Sequence, residues 1–454
     1  MKNPIIILLI CLSIQHFANA QEIPEIKHVV LISIDGLRPE FYLDESWPAP
    51  NIQYMAKNGI AASGVDGVFP TATYTSHTSI ISGKLPVNHG IYYNMDLDPE
   101  TFRSQWFMEY KDVKTKTLWE KVREKGMTSA AFSWPVTAGA PIDYNIPEVW
   151  ASEAPNDRTV AIRKWNNPSN LLEELEYNAT GKLLAEDISL GFRVMDQNHS
   201  RMLGYVLRTY KPNLSTIHLV HTDGAQHKKG RESELIRQTL ASVDQTVGHI
   251  LESIERAGIA DQTVVMVIGD HGFVDIHHAI QPNVLLSQLG LIGDDIEREN
   301  WKAFFQSSSG STFLHLKDKN DKALLGKIVS ALEELPKEIR SGFEILDKQK
   351  LLEAGAHPDA VLALAAKEGY KFGTSWNEEL FSASSGGVHG YFPDFKNIQT
   401  GMIIYGNQNH SLEKPVDNVR LIDFAPIISE LLKLDPEGFD GKIPDSIKGK
   451  LLKK

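Results

Sequence analysis

The sequence predicts an α/β fold: a central, mostly parallel sheet flanked by helices, with a small inserted α+β cap. Three observations carry this. Largely apolar runs at 28–34, 214–222 and 262–269 read as strands buried on both faces, the pattern of parallel sheets. Each run leads into a carboxylate, at Asp35, Asp223 and Asp270. Between the second and third runs, Ile236, Leu240, Val243, Val247, Ile250 and Ile254 step by three and four, a helical stripe closed by Gly258.

Taken in chain order, residues 1–20 read as a signal peptide cleaved before Gln21. Lys2 precedes an apolar run, and Ala18 and Ala20 supply the small residues at the cleavage site. The run is far short of the ~20 apolar residues a membrane span needs, and no later segment qualifies. Cys11, the only cysteine, falls inside this segment. The mature chain is therefore expected in the periplasm or secreted, without thiol or disulfide. That excludes cysteine as nucleophile, metal ligand or formylglycine precursor.

Residues 21–454 read as one catalytic domain with insertions at about 95–202 and about 273–400. The first insertion has little pattern. In the second, candidate strands at 303–306, 312–316, 343–346 and 360–363 surround a helix at 319–334, which makes the cap. The chain returns to the main sheet at 402–405. Asp423 reads as the N-cap of a last helix, with Pro426 early and Leu431 and Leu432 on its apolar side. A net charge of −12 gives no electrostatic reason to bind nucleic acid, so attraction for an anionic substrate has to be local. Nothing in the sequence implies a protein partner.

In open α/β sheets ligands bind beyond the carboxyl ends of the strands, so Asp35, Asp223 and Asp270 reach one edge from distant parts of the chain. His227 lies four residues after Asp223, His271 follows Asp270, and His389 sits in a glycine-rich stretch able to fold back. Three carboxylates and three imidazoles without cysteine suit zinc in an open catalytic site, with manganese or iron as alternatives. The segment 69–77 precedes an apolar helix and offers Thr71, Thr73, Thr75 and Ser76. A hydroxyl at a helix start can face a phosphoryl oxyanion, or it can simply cap the helix.

These motifs occur in a recognisable order: Ser-Ile-Asp35-Gly, Phe-Pro-Thr-x-Thr73, Gly90-Ile-Tyr-Tyr-Asn94, Asp223-Gly-x-x-His227, Gly-Asp270-His271-Gly and His389-Gly-Tyr. The sequence resembles the nucleotide pyrophosphatase/phosphodiesterase family of the alkaline phosphatase superfamily over nearly all of the mature chain. The resemblance implies an alkaline-phosphatase-like sandwich and a hydrolase for phosphodiester or pyrophosphate bonds of small molecules or nucleotides. It makes Thr73 the nucleophile, forming a phosphothreonine, and Asn94 the phosphate-binding amide, with the Tyr74 N–H beside it. It implies two zinc ions, one on Asp223, His227 and His389, the other on Asp35, Asp270, His271 and the Thr73 oxygen. Tyr74 is placed either to stack on the leaving group or simply to pack, and Trp134, like Trp150, could line the pocket. His77 and His89 read as structural, and His277 and His278 as loop residues.

Two other readings stay open. A phosphate monoesterase on the same scaffold generally adds a basic residue at the phosphate, and 133–140 has none; Lys228 and Lys229 are the nearest substitutes. A non-catalytic extracellular binding protein would be expected to have lost Thr73 or a ligand, and all are present. The residues Thr75-Ser76 and 384–388 depart from the family pattern, which bears on substrate preference rather than metal binding.

Overall fold

A computed structural model describes residues 25–98, 104–190, 193–293, 301–406 and 414–451. The expected signal peptide lies outside the described residues. Among those described, no helix is long and apolar enough to cross a membrane.

The three apolar runs form adjacent strands at the centre of a seven-stranded sheet. His28–Ile34 pairs in parallel with Leu214–Leu219 on one side and Thr263–Ile268 on the other. Ile34 is level with Leu219, and Ser33 with Ile268, so all three strands end on one line. Both sheet faces are covered, which explains why these strands are largely apolar along their whole length. Val30, Ile32 and Ile34 pack under the helices Val194–Thr209 and Glu234–Arg256. Val29 and Leu31 face the other layer, with Phe424–Leu431, Leu118–Glu124 and Ile80 and Ile81 of helix Thr73–Ser82.

Met402–Gly406 joins the sheet as its antiparallel member, beside Thr263–Ile268. Asp423 is the N-cap of Phe424–Leu431 by position, but its carboxylate accepts from the Arg420 N–H and not from the helix.

The first expected insertion needs correction. Ser129–Phe132 and Tyr144–Ile146, both within 95–202, are parallel strands of the central sheet. They escaped notice because each is only three or four residues long, too short for a periodic signal. The cap is a four-stranded antiparallel sheet of Ala303–Ser307, Ser311–Leu316, Leu362–Ala366 and Phe343–Leu346, with helix Lys322–Glu333 against it. One cap strand thus begins two residues later than expected. Val274–Ile280 is a further strand, so His277 and His278 are not loop residues; His278 stacks on Phe381.

Candidate active site

Because the three central strands end level, their C-terminal residues converge. Asp35 follows His28–Ile34 directly, and Asp270 and His271 follow Thr263–Ile268. Asp223 lies in the first turn of helix His221–Lys229, with His227 one turn on and so on the same face. His389 arrives from the short strand Gly387–Val388, pinned to Val274–Asp275. The glycines before it are therefore not a floppy tether. Gly386 has φ +96°, and a Cβ there would stand 2.3 Å from the His227 carbonyl oxygen.

Hydrogen bonds on the outer side of each ring fix its tautomer. Nδ1 of His227 donates to Gly387 O at 2.9 Å, and that of His389 to Thr71 O at 2.9 Å. Nδ1 of His271 points to its neighbour Gly272 O at 3.2 Å. A carbonyl can only accept, so each proton sits on Nδ1 and each Nε2 lone pair faces inward. Burial foremost pushes His271 and His389 down to about 3, which keeps both rings neutral.

These lone pairs face oxygens that are acceptors too. His227 Nε2 lies 3.2 Å from Asp223 Oδ1, and His389 Nε2 lies 3.7 Å from the same atom. His271 Nε2 lies 3.4 Å from Asp35 Oδ1 and 3.3 Å from Asp270 Oδ2. Asp35 Oδ1, Asp223 Oδ1 and Asp270 Oδ2 are all buried without a hydrogen-bond partner. Each such atom costs about 1–3 kcal/mol, more when charged. Lone pairs aimed at lone pairs need a cation between them, and an Asp/His set of this kind suits a divalent metal. Asp35, Asp270 and His271 form one group able to hold an ion. In a second, Asp223 and His389 are joined by His271, with His227 Nε2 3.2 Å from Asp223 Oδ1, and His77, His218 and Asp270 make a third. Burial, then the charges of Asp270 and Asp223, push Asp35 well above the usual carboxylate range.

Thr73 is the first residue of helix Thr73–Ser82, and Ala72 occupies the N-cap, so the Thr73 hydroxyl is not a cap. Its Oγ1 lies 3.2 Å from His271 Nε2, beside the carboxylate cluster. Of the neighbouring hydroxyls, Thr71 Oγ1 donates to Tyr391 O and Ser79 pairs with His89, while Thr75 and Ser76 are buried without a hydrogen-bond partner. His77 donates from Nδ1 to Thr73 O at 2.8 Å, bracing the helix start. Asn94 Oδ1 accepts from the Tyr74 N–H at 2.9 Å. That N–H, expected to face the phosphate, instead orients Asn94 and leaves its Nδ2 as the donor the amide can offer.

A cavity of about 620 Å³ opens from His227, His389 and Asn94 toward the cap, walled by Tyr93, Leu97, Trp106, Ile292, Phe304 and Trp376. Two expected wall residues are elsewhere. Trp134 is fully buried, edge-on to His77 at 4.8 Å between ring centres. Tyr74 is 1% exposed, its hydroxyl bonded to Glu148 and its ring packed with Ile91 and Val136. Trp106, which the sequence reading missed, rests on Tyr74 and on Trp150 and is 37% exposed at the cavity. The stretch 133–140 lies under Tyr74, so its lack of basic residues says little about the phosphate. Lys228 and Lys229 point to solvent, and no Lys or Arg is among the described residues lining the cavity. His218 and Glu148, buried behind Asp35, were also missed, although a histidine inside an apolar strand was a readable signal.

The sequence model of the type I phosphodiesterase / nucleotide pyrophosphatase family matches residues 29–392. Human ectonucleotide pyrophosphatase/phosphodiesterase family member 7 is 24% identical over 254 residues, 55% of this chain and 48% of its own. The venom phosphodiesterase of Naja atra is 21% identical over 445 residues, 91% of this chain and 45% of its own. The chain thus spans about half the length of these curated relatives. Human ectonucleotide pyrophosphatase/phosphodiesterase 5 is 18% identical and superposes with a TM-score of 0.68, over 93% of this chain and 99% of that one. An inactive threonine-to-alanine variant of the murine protein, in complex with AMP, gives 0.66 at 18% identity over 92% and 97%. The structural likeness establishes the alkaline-phosphatase-like fold, and the match across residues 29–392 establishes the lineage: the chain belongs to the type I phosphodiesterase / nucleotide pyrophosphatase family.

Proposed function

We propose that the chain is an exported, metal-dependent phosphodiesterase or nucleotide pyrophosphatase that works through a phosphothreonine on Thr73. The observation that carries the reading is the Thr73 hydroxyl at a helix N-terminus, 3.2 Å from His271 Nε2 and beside three buried carboxylate oxygens without a hydrogen-bond partner. Asp223, His227 and His389 would hold one zinc, and Asp35, Asp270 and His271 the other. When bound, the pair would supply Lewis acidity to the attacking and leaving oxygens. Thr73 Oγ1 bonds to phosphorus, the bond to the leaving oxygen breaks, and water later releases the phosphoryl group from Thr73. Asn94 Nδ2 donates to a non-bridging oxygen as charge gathers there. The AMP bound to the murine relative, in a threonine-to-alanine variant described as inactive, supports both the nucleotide class and the threonine.

The cavity favours a diester or pyrophosphate over a monoester. A monoester dianion asks for a further cation, and the described lining residues offer none. A second substituent instead finds an apolar wall. For an aryl diester, kcat/KM is expected to exceed that for the matching aryl monoester by at least ~10-fold, about 1.4 kcal/mol of differential stabilisation. A side-by-side assay with a nucleotide pyrophosphate decides this, and equal or better use of the monoester overturns it. Trp106→Ala should raise KM for the aryl diester ~10-fold with little change in kcat, because the wall is lost and the reacting groups are untouched.

A further inference from the structure

Behind the site, a line of hydrogen bonds runs from Asp35 to the buried Tyr74, whose backbone carries it on to Asn94 at the cavity. His218, 1% exposed, places Nε2 3.1 Å from Asp35 Oδ2. Its Nδ1 lies 3.2 Å from both Ser133 O and Glu148 Oε2. Only acceptors face the two nitrogens, so the ring donates from both. Glu148, 4% exposed, accepts from the Ser133 hydroxyl at Oε2 and from the Tyr74 hydroxyl at Oε1, the latter at 2.8 Å. Tyr74 in turn donates its N–H to Asn94.

We propose that His218 and Glu148 are positioning residues that tie the Asp35 carboxylate to Tyr74, so that a metal ligand, the start of the nucleophile helix and Asn94 are held as one unit. The proposal rests on the hydrolase reading for its catalytic consequence. Its structural part stands on geometry. With Oδ2 of Asp35 engaged by His218, Oδ1 is the oxygen presented to His271 and the cluster. At the other end, Glu148 anchors the residue next to Thr73, whose backbone orients Asn94. Burying a carboxylate and a histidine is costly, and apolar residues of like volume would stabilise the core as well or better. What they add is direction: a carboxylate with one oxygen engaged has one way left to point. Partners of this kind behind a ligand typically change metal affinity 10–100-fold when removed.

The test uses full-length protein carrying Glu148→Gln, His218→Gln, Tyr74→Phe, or the last two together. Zinc affinity is measured by competition with a chromogenic chelator, beside kcat and KM on a chromogenic diester and the melting temperature. Glu148→Gln is expected to weaken zinc binding ~10-fold, and Tyr74→Phe at least ~3-fold, although neither side chain touches the cluster. Both should lower kcat more than they raise KM. Because the tie is one unit, His218→Gln and Tyr74→Phe together should cost clearly less than the product of their separate effects. A purely structural pair would shift melting temperature alone. Wild-type zinc affinity in Glu148→Gln and Tyr74→Phe, or fully multiplicative effects in the double variant, overturns the proposal. If Glu148→Gln fails to fold, Tyr74→Phe carries the same test with its packing intact. If the wild type hydrolyses no diester or pyrophosphate, the hydrolase reading falls, while the zinc competition still decides the tie.

Discussion

Thr73→Ala is expected to lower turnover ~10³-fold or more while leaving the fold and zinc content close to wild type. Its Oγ1 is the hydroxyl beside the cluster, at 3.2 Å from His271 Nε2, and the helix does not need it, because Ala72 holds the N-cap. Thr73→Ser keeps the oxygen and should restore much of the rate. Thr71→Ala serves as the control. Thr71 Oγ1 donates to Tyr391 O and accepts from the Gly390 N–H, so its loss should cost stability, about 1–3 kcal/mol, more than chemistry. Steady-state rates with metal analysis of the same samples decide the matter. A Thr73→Ala protein that keeps more than a few per cent of the rate removes Thr73 from the nucleophile's role.

What the sequence made legible follows from how each residue is delivered to the site. Asp35 and Asp270 follow apolar strands and Asp223 opens the helix after a third, and strand ends in a parallel sheet share an edge, so their convergence could be read directly. His389 was reachable only through its motif, because the strand that carries it is two residues long. The walls were harder to read. Tyr74 and Trp134 look like pocket residues by position, yet helix Thr73–Ser82 is buried throughout, so the Tyr74 ring turns inward, and Trp134, just after strand Ser129–Phe132, is buried against His77 of that helix. Trp106 belongs to the hairpin of Met95–Leu97 and Ser104–Trp106, whose strands are too short to show alternation. Glu148 lies in an extended segment after a three-residue strand, and only the tertiary contact with His218 gives it meaning.

The second large effect concerns the metal, and here stability and binding are expected to move in opposite directions. Chelation should abolish activity, zinc should restore it, and the bound stoichiometry should be two per chain. Three carboxylate oxygens crowd the metal-free site without hydrogen-bond partners. Binding at a concentration ~1,000-fold above Kd adds about 4 kcal/mol to the folded state. Asp35→Asn removes one of the crowding charges. Its amide oxygen can still accept from His218, and its NH2 can donate to His271 Nε2, which lies 3.4 Å from the present Oδ1. The metal-free variant should therefore melt above the metal-free wild type, yet gain far less from added zinc and turn over at least ~10²-fold more slowly. Paired melting curves with and without chelator decide this. A metal-free Asp35→Asn that melts below the wild type would show that the carboxylate stabilises the fold. One that responds fully to zinc would take Asp35 out of the ligand set, whereas His389→Ala should weaken chiefly the site it shares with Asp223 and His227.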